Sequence, residues 1–137
     1  MSRHIPPISK YMTPAPHTIG RDQSLTSAHH MMREHRIRHL PVLSGGRVVG
    51  LLSERDLALI ETLHSVDPDL TIAEEAMTQA PYTVTPDTPL DEVVATMAGQ
   101  RYGSALVMEH ERIVGVFTTT DALEALVELL RPHPGRA

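Results

Sequence analysis

Apolar positions change their period along this chain in an order that comes round twice. Leu25, Ala28, Met31, Met32 and His35 recur at helical spacing and predict a helix from about Ser24 to Arg36, capped by Ser24 or by Asp22 just before it. The period then shortens. His39-Leu40-Pro41-Val42-Leu43 and Arg47-Val48-Val49-Gly50-Leu51-Leu52-Ser53 are apolar or β-branched runs on either side of Ser44-Gly45-Gly46, the pattern of a hairpin. A second helix is expected over Glu54 to Leu63. Upstream, Thr18-Ile19 reads as a very short strand, and the two prolines of Pro14-Ala15-Pro16 forbid a regular helix before it.

Further along, Tyr82-Thr83-Val84 predicts a strand and Thr88-Pro89 opens a helix through Met97. Thr88 is the expected cap and Pro89 the first-turn residue, with Asp91 and Glu92 facing the positive helix end. Ala105 to Met108 and Arg112 to Phe117 predict another hairpin, and Thr120 to Leu130 a last helix. Sliding the chain over itself by 65 positions, without a gap, places Met12-Thr13 on Met77-Thr78, Leu25 on Leu90, Arg36 on Arg101, Gly50 on Gly115 and Asp56 on Asp121. A whole structural unit is duplicated. The copies span 8–63 and 73–130, with a linker over 64–72, a short polar arm at 1–7 and a Pro/Gly-bearing tail at 131–137 that is expected to fray.

The fold class is therefore α+β, a tandem β-α-β-β-α repeat with pseudo-twofold symmetry. A unit below roughly 60 residues removes too little surface from water to close a good core alone. Each copy is expected to cover the other's apolar face, leaving two related clefts along the seam.

Charge and composition narrow the function. Twelve Lys and Arg against 17 Asp and Glu give a net charge of -5, so there is no general basic field, and one Phe, no Trp and three Tyr leave little for base stacking. Nucleic-acid binding through Arg36, Arg38 and Arg101 is disfavoured. The absence of cysteine excludes disulfides and thiolate chemistry. No apolar run approaches the roughly 20 residues of a membrane span, and Met1 to Lys10 lacks the apolar stretch of a signal peptide, so a cytoplasmic location is the plain reading and no membrane role is expected. GxSxG, HExxH and GxxxxGK[ST] are all missing. Nine histidines invite a metal site, with Glu34, His35 and His39 close together, but His39 opens a strand and no second pair has zinc spacing, so none is expected.

Each copy resembles the CBS domain, named after cystathionine β-synthase. The first copy carries the resemblance in Tyr11-Met12-Thr13 with Pro16 and Thr18, Arg36 with His39-Leu40-Pro41-Val42, Val49-Gly50-Leu51-Leu52-Ser53 and Arg55-Asp56. The second carries it in Ala76-Met77-Thr78, Pro81, Thr83-Val84, Pro86-Asp87, Ala105-Leu106-Val107 and the run from Ile113 to Asp121. The resemblance implies a regulatory module, without catalysis or a required cofactor, whose clefts bind an adenosine-containing ligand such as AMP, ADP, ATP or S-adenosylmethionine. It also implies which residues line them. One site combines Thr13, Ala15, Pro16, His17, Ile37 and Arg38 with Val116, Thr118, Thr120 and Asp121. The other combines Thr78, Ala80, Pro81, Tyr82, Tyr102 and Gly103 with Leu51, Ser53, Arg55 and Asp56.

The residue types suit that task. A carboxylate in a helix first turn is held ionised by the positive helix end and can accept both ribose hydroxyls, while threonine and serine hydroxyls and free backbone N–H groups suit a phosphate. Ile37, Val116, Tyr102 and Leu51 could sandwich an adenine, and the backbone near Pro16-His17 or Pro81-Tyr82 could read its edge. Asp56 and Asp121 would equally serve as helix caps with no ligand, a role worth roughly 0.5–2 kcal/mol. Arg55 could bind a phosphate or pair with Glu54, Arg38 and His39 stand between phosphate contact and surface solvation, and solvation is the plain reading of Arg36 and Arg101.

The helix over 120–130 is apolar on more than one face, through Leu123, Leu126, Val127, Leu129 and Leu130, which suggests a homodimer interface. The leading reading is a sensor of an adenosyl ligand acting on a regulated protein that the sequence does not identify. The alternative is a ligand-free module that docks a partner protein through its helices.

Overall fold

The computed structural model of the chain describes residues 4–131; residues 1–3 and 132–137, which hold much of the expected arm and tail, lie outside the described residues. Two sheets carry the fold, and each is finished by the other copy. In the first, β1 (Thr13–Pro14) runs antiparallel to β7 (Arg112–Thr118), which pairs with β6 (Ser104–Glu109), which in turn lies parallel to β5 (Thr83–Val84). Three of these strands come from the second copy and β1 from the first. The second sheet is β2 (Ile19–Gly20), β3 (His39–Ser44) and β4 (Arg47–Ser53), and Thr78 of the second copy bridges to Leu51 at its edge. Leu51 and Thr78 exchange both backbone hydrogen bonds, at 2.9 and 2.8 Å.

The cores show the same exchange. Ile8, on a single 3-10 turn (Ile8–Lys10), is fully buried among Leu90, Val93, Val107 and Phe117 of the second copy. Ala73, on the short helix α3 (Ala73–Ala76), is fully buried among Leu25, Leu40, Leu52 and Leu57 of the first. Met12 lies against Gly115 and Met77 against Gly50, so closely that a Cβ on either glycine would collide with the thioether. These glycines are required by the approach of a neighbour and not by backbone freedom.

Helix α1 (Leu25–His35) starts as its sequence suggests, with Ser24 Oγ accepting from Ser27 N at 3.1 Å. Helix α4 (Leu90–Gln100) corrects the expectation for Thr88 and Pro89: Pro89 is itself the N-cap, and the Thr88 hydroxyl accepts from Thr85 N at 3.1 Å instead of capping. The reason is that the arm supplies the cap. Pro6 O accepts from Leu90 N at 2.9 Å, so this part of the arm is docked. At the related place in the first copy, Thr71 O accepts from Leu25 N at 2.9 Å, so the end of the linker is pinned as well. Helix α2 (Glu54–Ile60) stops three residues short of Leu63, and Glu61 turns to meet His29 at 2.6 Å.

Gly45 and Gly46 turn the first hairpin at φ 59° and 82°; His110 and Glu111 turn the second at φ 53° and 66° without glycine. The two hairpin tips are neighbours, with Arg47 3.7 Å from Glu111. Helix α5 (Thr119–Leu130) begins one residue before expected and buries Ala125, while Leu123, Leu126, Leu129 and Leu130 remain 49–73% exposed.

Candidate functional site

Asp121 is the third residue of α5 and closes a reciprocal box with Thr118. Its Oδ2 accepts from Thr118 N at 2.9 Å, and its own N–H donates to Thr118 Oγ1 at 3.3 Å. Asp56 does the same at the start of α2, accepting from Ser53 N at 2.9 Å and donating its N–H to Ser53 Oγ at 3.0 Å. Two free helix-end donors are satisfied at each place, which bears out the capping role. Each carboxylate also meets the other copy: Thr13 Oγ1 donates to Asp121 Oδ1 at 3.3 Å, and Thr78 Oγ1 approaches Asp56 Oδ1 at 3.5 Å. Each threonine is about equally close to both carboxylate oxygens, so the same carboxylate serves the cap and faces the seam.

Both aspartates open onto one continuous cleft of about 1200 Å³. Gly103 and Ser104 are among the small residues that line it. With Asp121 the cleft is lined by Thr13, Ala15, Pro16, His17, Ile37, Arg38, Val116, Thr118 and Thr120, and with Asp56 by Thr78, Ala80, Pro81, Tyr102, Gly103, Leu51, Ser53 and Arg55. Tyr82 is the exception among the residues singled out. It does not line the cleft, and stacks instead on Tyr102 at 5.3 Å between centroids, supporting that ring from outside the cavity. His17 stacks on His35 at 3.6 Å between ring centroids.

Several lining residues escaped the reading of the sequence. Arg36 and Arg101 line the cleft, where solvation alone was expected, because both end their helices in the left-handed conformation, at φ 55° and 61°. Their matched positions in the repeat were the available signal. Glu54, Ala58, Thr119 and Ser104 also line it. Ser104 is 4% exposed, and its hydroxyl is the one buried side-chain polar atom without a hydrogen-bond partner among the described residues. Arg55 forms no ion pair among the described residues, so pairing with Glu54 is not what holds it.

Four arginines, at 36, 38, 55 and 101, face three carboxylates, Glu54, Asp56 and Asp121, so the cleft carries a local positive excess on an acidic chain. His39 stands within it. Burial lowers its pKa from the usual histidine value, Asp56 and Glu54 oppose that shift, and Arg38 adds to it. Its imidazole is close to Gly103: a Cβ there would come within 3.3 Å of His39 Nε2.

Two interleaved β-α-β-β-α units with paired aspartates over a shared seam define a tandem repeat module. The chain belongs to the CBS domain family, whose model matches residues 8–61 and 59–128. Hypoxic response protein 1 of Mycobacterium tuberculosis is 29% identical over 111 residues, covering 80% of this chain and 78% of that one. An uncharacterized conserved protein from Pyrococcus horikoshii has the same fold, with a TM-score of 0.83, 31% identity and coverage of 96% of this chain and 100% of that one. The CBS domain pair of protein MJ0100, solved with 5′-methylthioadenosine and S-adenosyl-L-methionine, superposes with a TM-score of 0.77 at 25% identity over 88% of this chain and 98% of that one. The structure of hypoxic response protein I contains two coordinated zinc ions. In the present chain, no group of three or more His, Cys, Asp or Glu that could hold a metal occurs among the described residues. Nor is any helix among them long and apolar enough to cross a membrane.

Proposed function

We propose that the chain is a cytoplasmic regulatory module that binds an adenosyl ligand in the seam cleft, with Asp121 and Asp56 receiving ribose hydroxyls. One observation carries this reading. Each aspartate is locked by its own helix cap while its carboxylate is also approached by a threonine of the other copy, across a cleft large enough for a nucleotide. A ribose diol can take the place of the threonine hydroxyl without disturbing the cap. The adenosyl ligands held by the MJ0100 pair support the same chemistry.

Occupancy can signal only if the ligand binds one arrangement of the copies more tightly than another. The apolar surface of α5, with Leu123, Leu126, Leu129 and Leu130 exposed, is where a homodimer would sense that change. The same surface favours the second reading, a module that docks a partner protein with nothing in its cleft.

Thermal unfolding with AMP, ADP, ATP, 5′-methylthioadenosine and S-adenosylmethionine separates the two. A ligand at a hundredfold excess over its Kd should add about 2.7 kcal/mol, a rise of several degrees in Tm. A flat response to all five at millimolar concentration would favour the docking reading.

A further inference from the structure

We propose that the two neighbouring hairpin tips form a binding site apart from the seam cleft, which takes a small multivalent oxyanion of the diphosphate class on Arg47 and Arg112. It shares no lining residue with the cleft and does not depend on the adenosyl reading.

Gly45, Gly46 and Arg47 of one tip and His110, Glu111 and Arg112 of the other line a single hollow of about 340 Å³. The offset of 65 residues maps the first three onto the last three, so the two arginines are equivalents related by the pseudo-twofold axis. Duplication placed two like charges around one hollow. Arg47 has a partner in Glu111 at 3.7 Å, with the two side chains 74% and 78% exposed. Arg112 has none among the described residues, and Glu109, its register partner, lies outside the lining. A clasp between the tips needs one arginine; the second is surplus, on a chain whose net charge is -5.

The backbone adds donors to that charge. Ser44 pairs with Arg47 and Glu109 with Arg112, which leaves the two central residues of each turn outside the ladder. Among the described residues their N–H groups make no backbone hydrogen bond, and successive turn amides of this kind form anion-binding concavities. The second tip also keeps side chains where the first has glycine. His110 and Glu111 hold φ of 53° and 66° at a steric cost that Gly45-Gly46 avoids, and such strained residues cluster at ligand sites. The His110 imidazole is one more donor for an anion. Two guanidinium forks with these donors suit the several oxygens of linked phosphates, which arginine can bind bidentately.

Calorimetric titration of inorganic pyrophosphate at fixed ionic strength into wild-type protein, Arg112→Met, Arg47→Met and Arg38→Met tests the site. Arg38 lines the seam cleft and serves as the control. Both tip arginines are exposed, so their variants keep the fold. Saturable binding of one pyrophosphate per chain should weaken about tenfold or more in Arg112→Met and Arg47→Met, the loss expected of a charged hydrogen-bond partner, and stay within about twofold in Arg38→Met. Unchanged affinity in Arg112→Met, or a loss confined to Arg38→Met, would place the anion elsewhere and overturn the proposal. An equal response to sodium sulfate at the same ionic strength would reduce the effect to screening and overturn it too. So would the absence of saturable binding at millimolar pyrophosphate, and each of these results leaves the adenosyl reading standing.

Discussion

Thr13 and Asp121 are 108 residues apart, and the hydroxyl of one donates to the carboxylate of the other at 3.3 Å. The bond ties the leading segment of the first copy to the last helix of the second, at the place where a ribose is proposed to sit. A structural role and the proposed ligand-binding role therefore meet in the same carboxylate, and they can be pulled apart.

Asp121→Ala removes the cap and the ribose acceptor together, whereas Thr13→Ala removes only the bridge. Asp121→Ala should lower stability by about 1 kcal/mol, as the loss of a helix-capping group does, and weaken ligand binding at least tenfold. Thr13→Ala should leave stability within about 0.5 kcal/mol of wild type, the usual bound for an exposed side chain, and change ligand affinity far less than Asp121→Ala does. Urea melts and calorimetry on the two variants check both; an unchanged affinity in Asp121→Ala would end its ligand role.

Gly115→Ala and Gly50→Ala should each destabilise by about 1–3 kcal/mol through overpacking against methionine. Their rescue should differ. The added methyl at 115 meets only the Met12 side chain within 3.2 Å, so Met12→Ala should relieve it, while at 50 it also meets the Thr78 carbonyl at 2.9 Å, which trimming Met77 cannot move. Double-mutant cycles in urea should therefore show strong coupling for 12 with 115 and weak coupling for 77 with 50.

Replacing His110-Glu111 by Asn-Gly should stabilise the protein by about 1–2 kcal/mol. Both residues sit in left-handed conformations that an L side chain resists, and Asn-Gly suits this turn. The lost pairing with Arg47, at 3.7 Å and well exposed, offsets little of this. A fall in Tm would contradict the strain.

Acid should weaken the fold through His39. Its folded-state pKa lies below the unfolded value of about 6.5, so between the two the unfolded chain binds more protons, and stability falls as the pH drops through that window. Above it both states are neutral and no penalty remains. His39→Ser, which copies the related Ser104, should flatten that part of the profile; identical slopes in urea melts from pH 5 to 8 would exclude His39 as the source.

Leu126→Glu should convert a dimer to a monomer in light scattering without lowering Tm by more than about 1 kcal/mol in equivalent stability, because Leu126 is 49% exposed in the single chain. A monomeric wild-type protein would assign the α5 face to another partner.

Periodicity made the helices and hairpins legible because each depends on neighbours a few residues away. Duplication extended that reach: Asp56 could be matched to Asp121, and Thr13 to Thr78, before any fold was known. What stayed hidden depends on distant partners. Nothing around Thr88-Pro89 announces that Pro6 will cap α4, and nothing around Tyr82 shows that its ring will back Tyr102 from outside the cleft. Helix α3 escaped notice because four residues are too few to display a period.

The exchange of Met12 onto Gly115 and Met77 onto Gly50 gives the linker an unexpected standing. Each sheet already holds a piece of the other, so cutting the chain between 64 and 70 would leave two fragments still clasped, much as two molecules of a single-copy ancestor would have clasped before they were tethered. The tether fixes stoichiometry, and in doing so it freed the two copies to diverge at positions such as 38 and 103, something two identical subunits could never do.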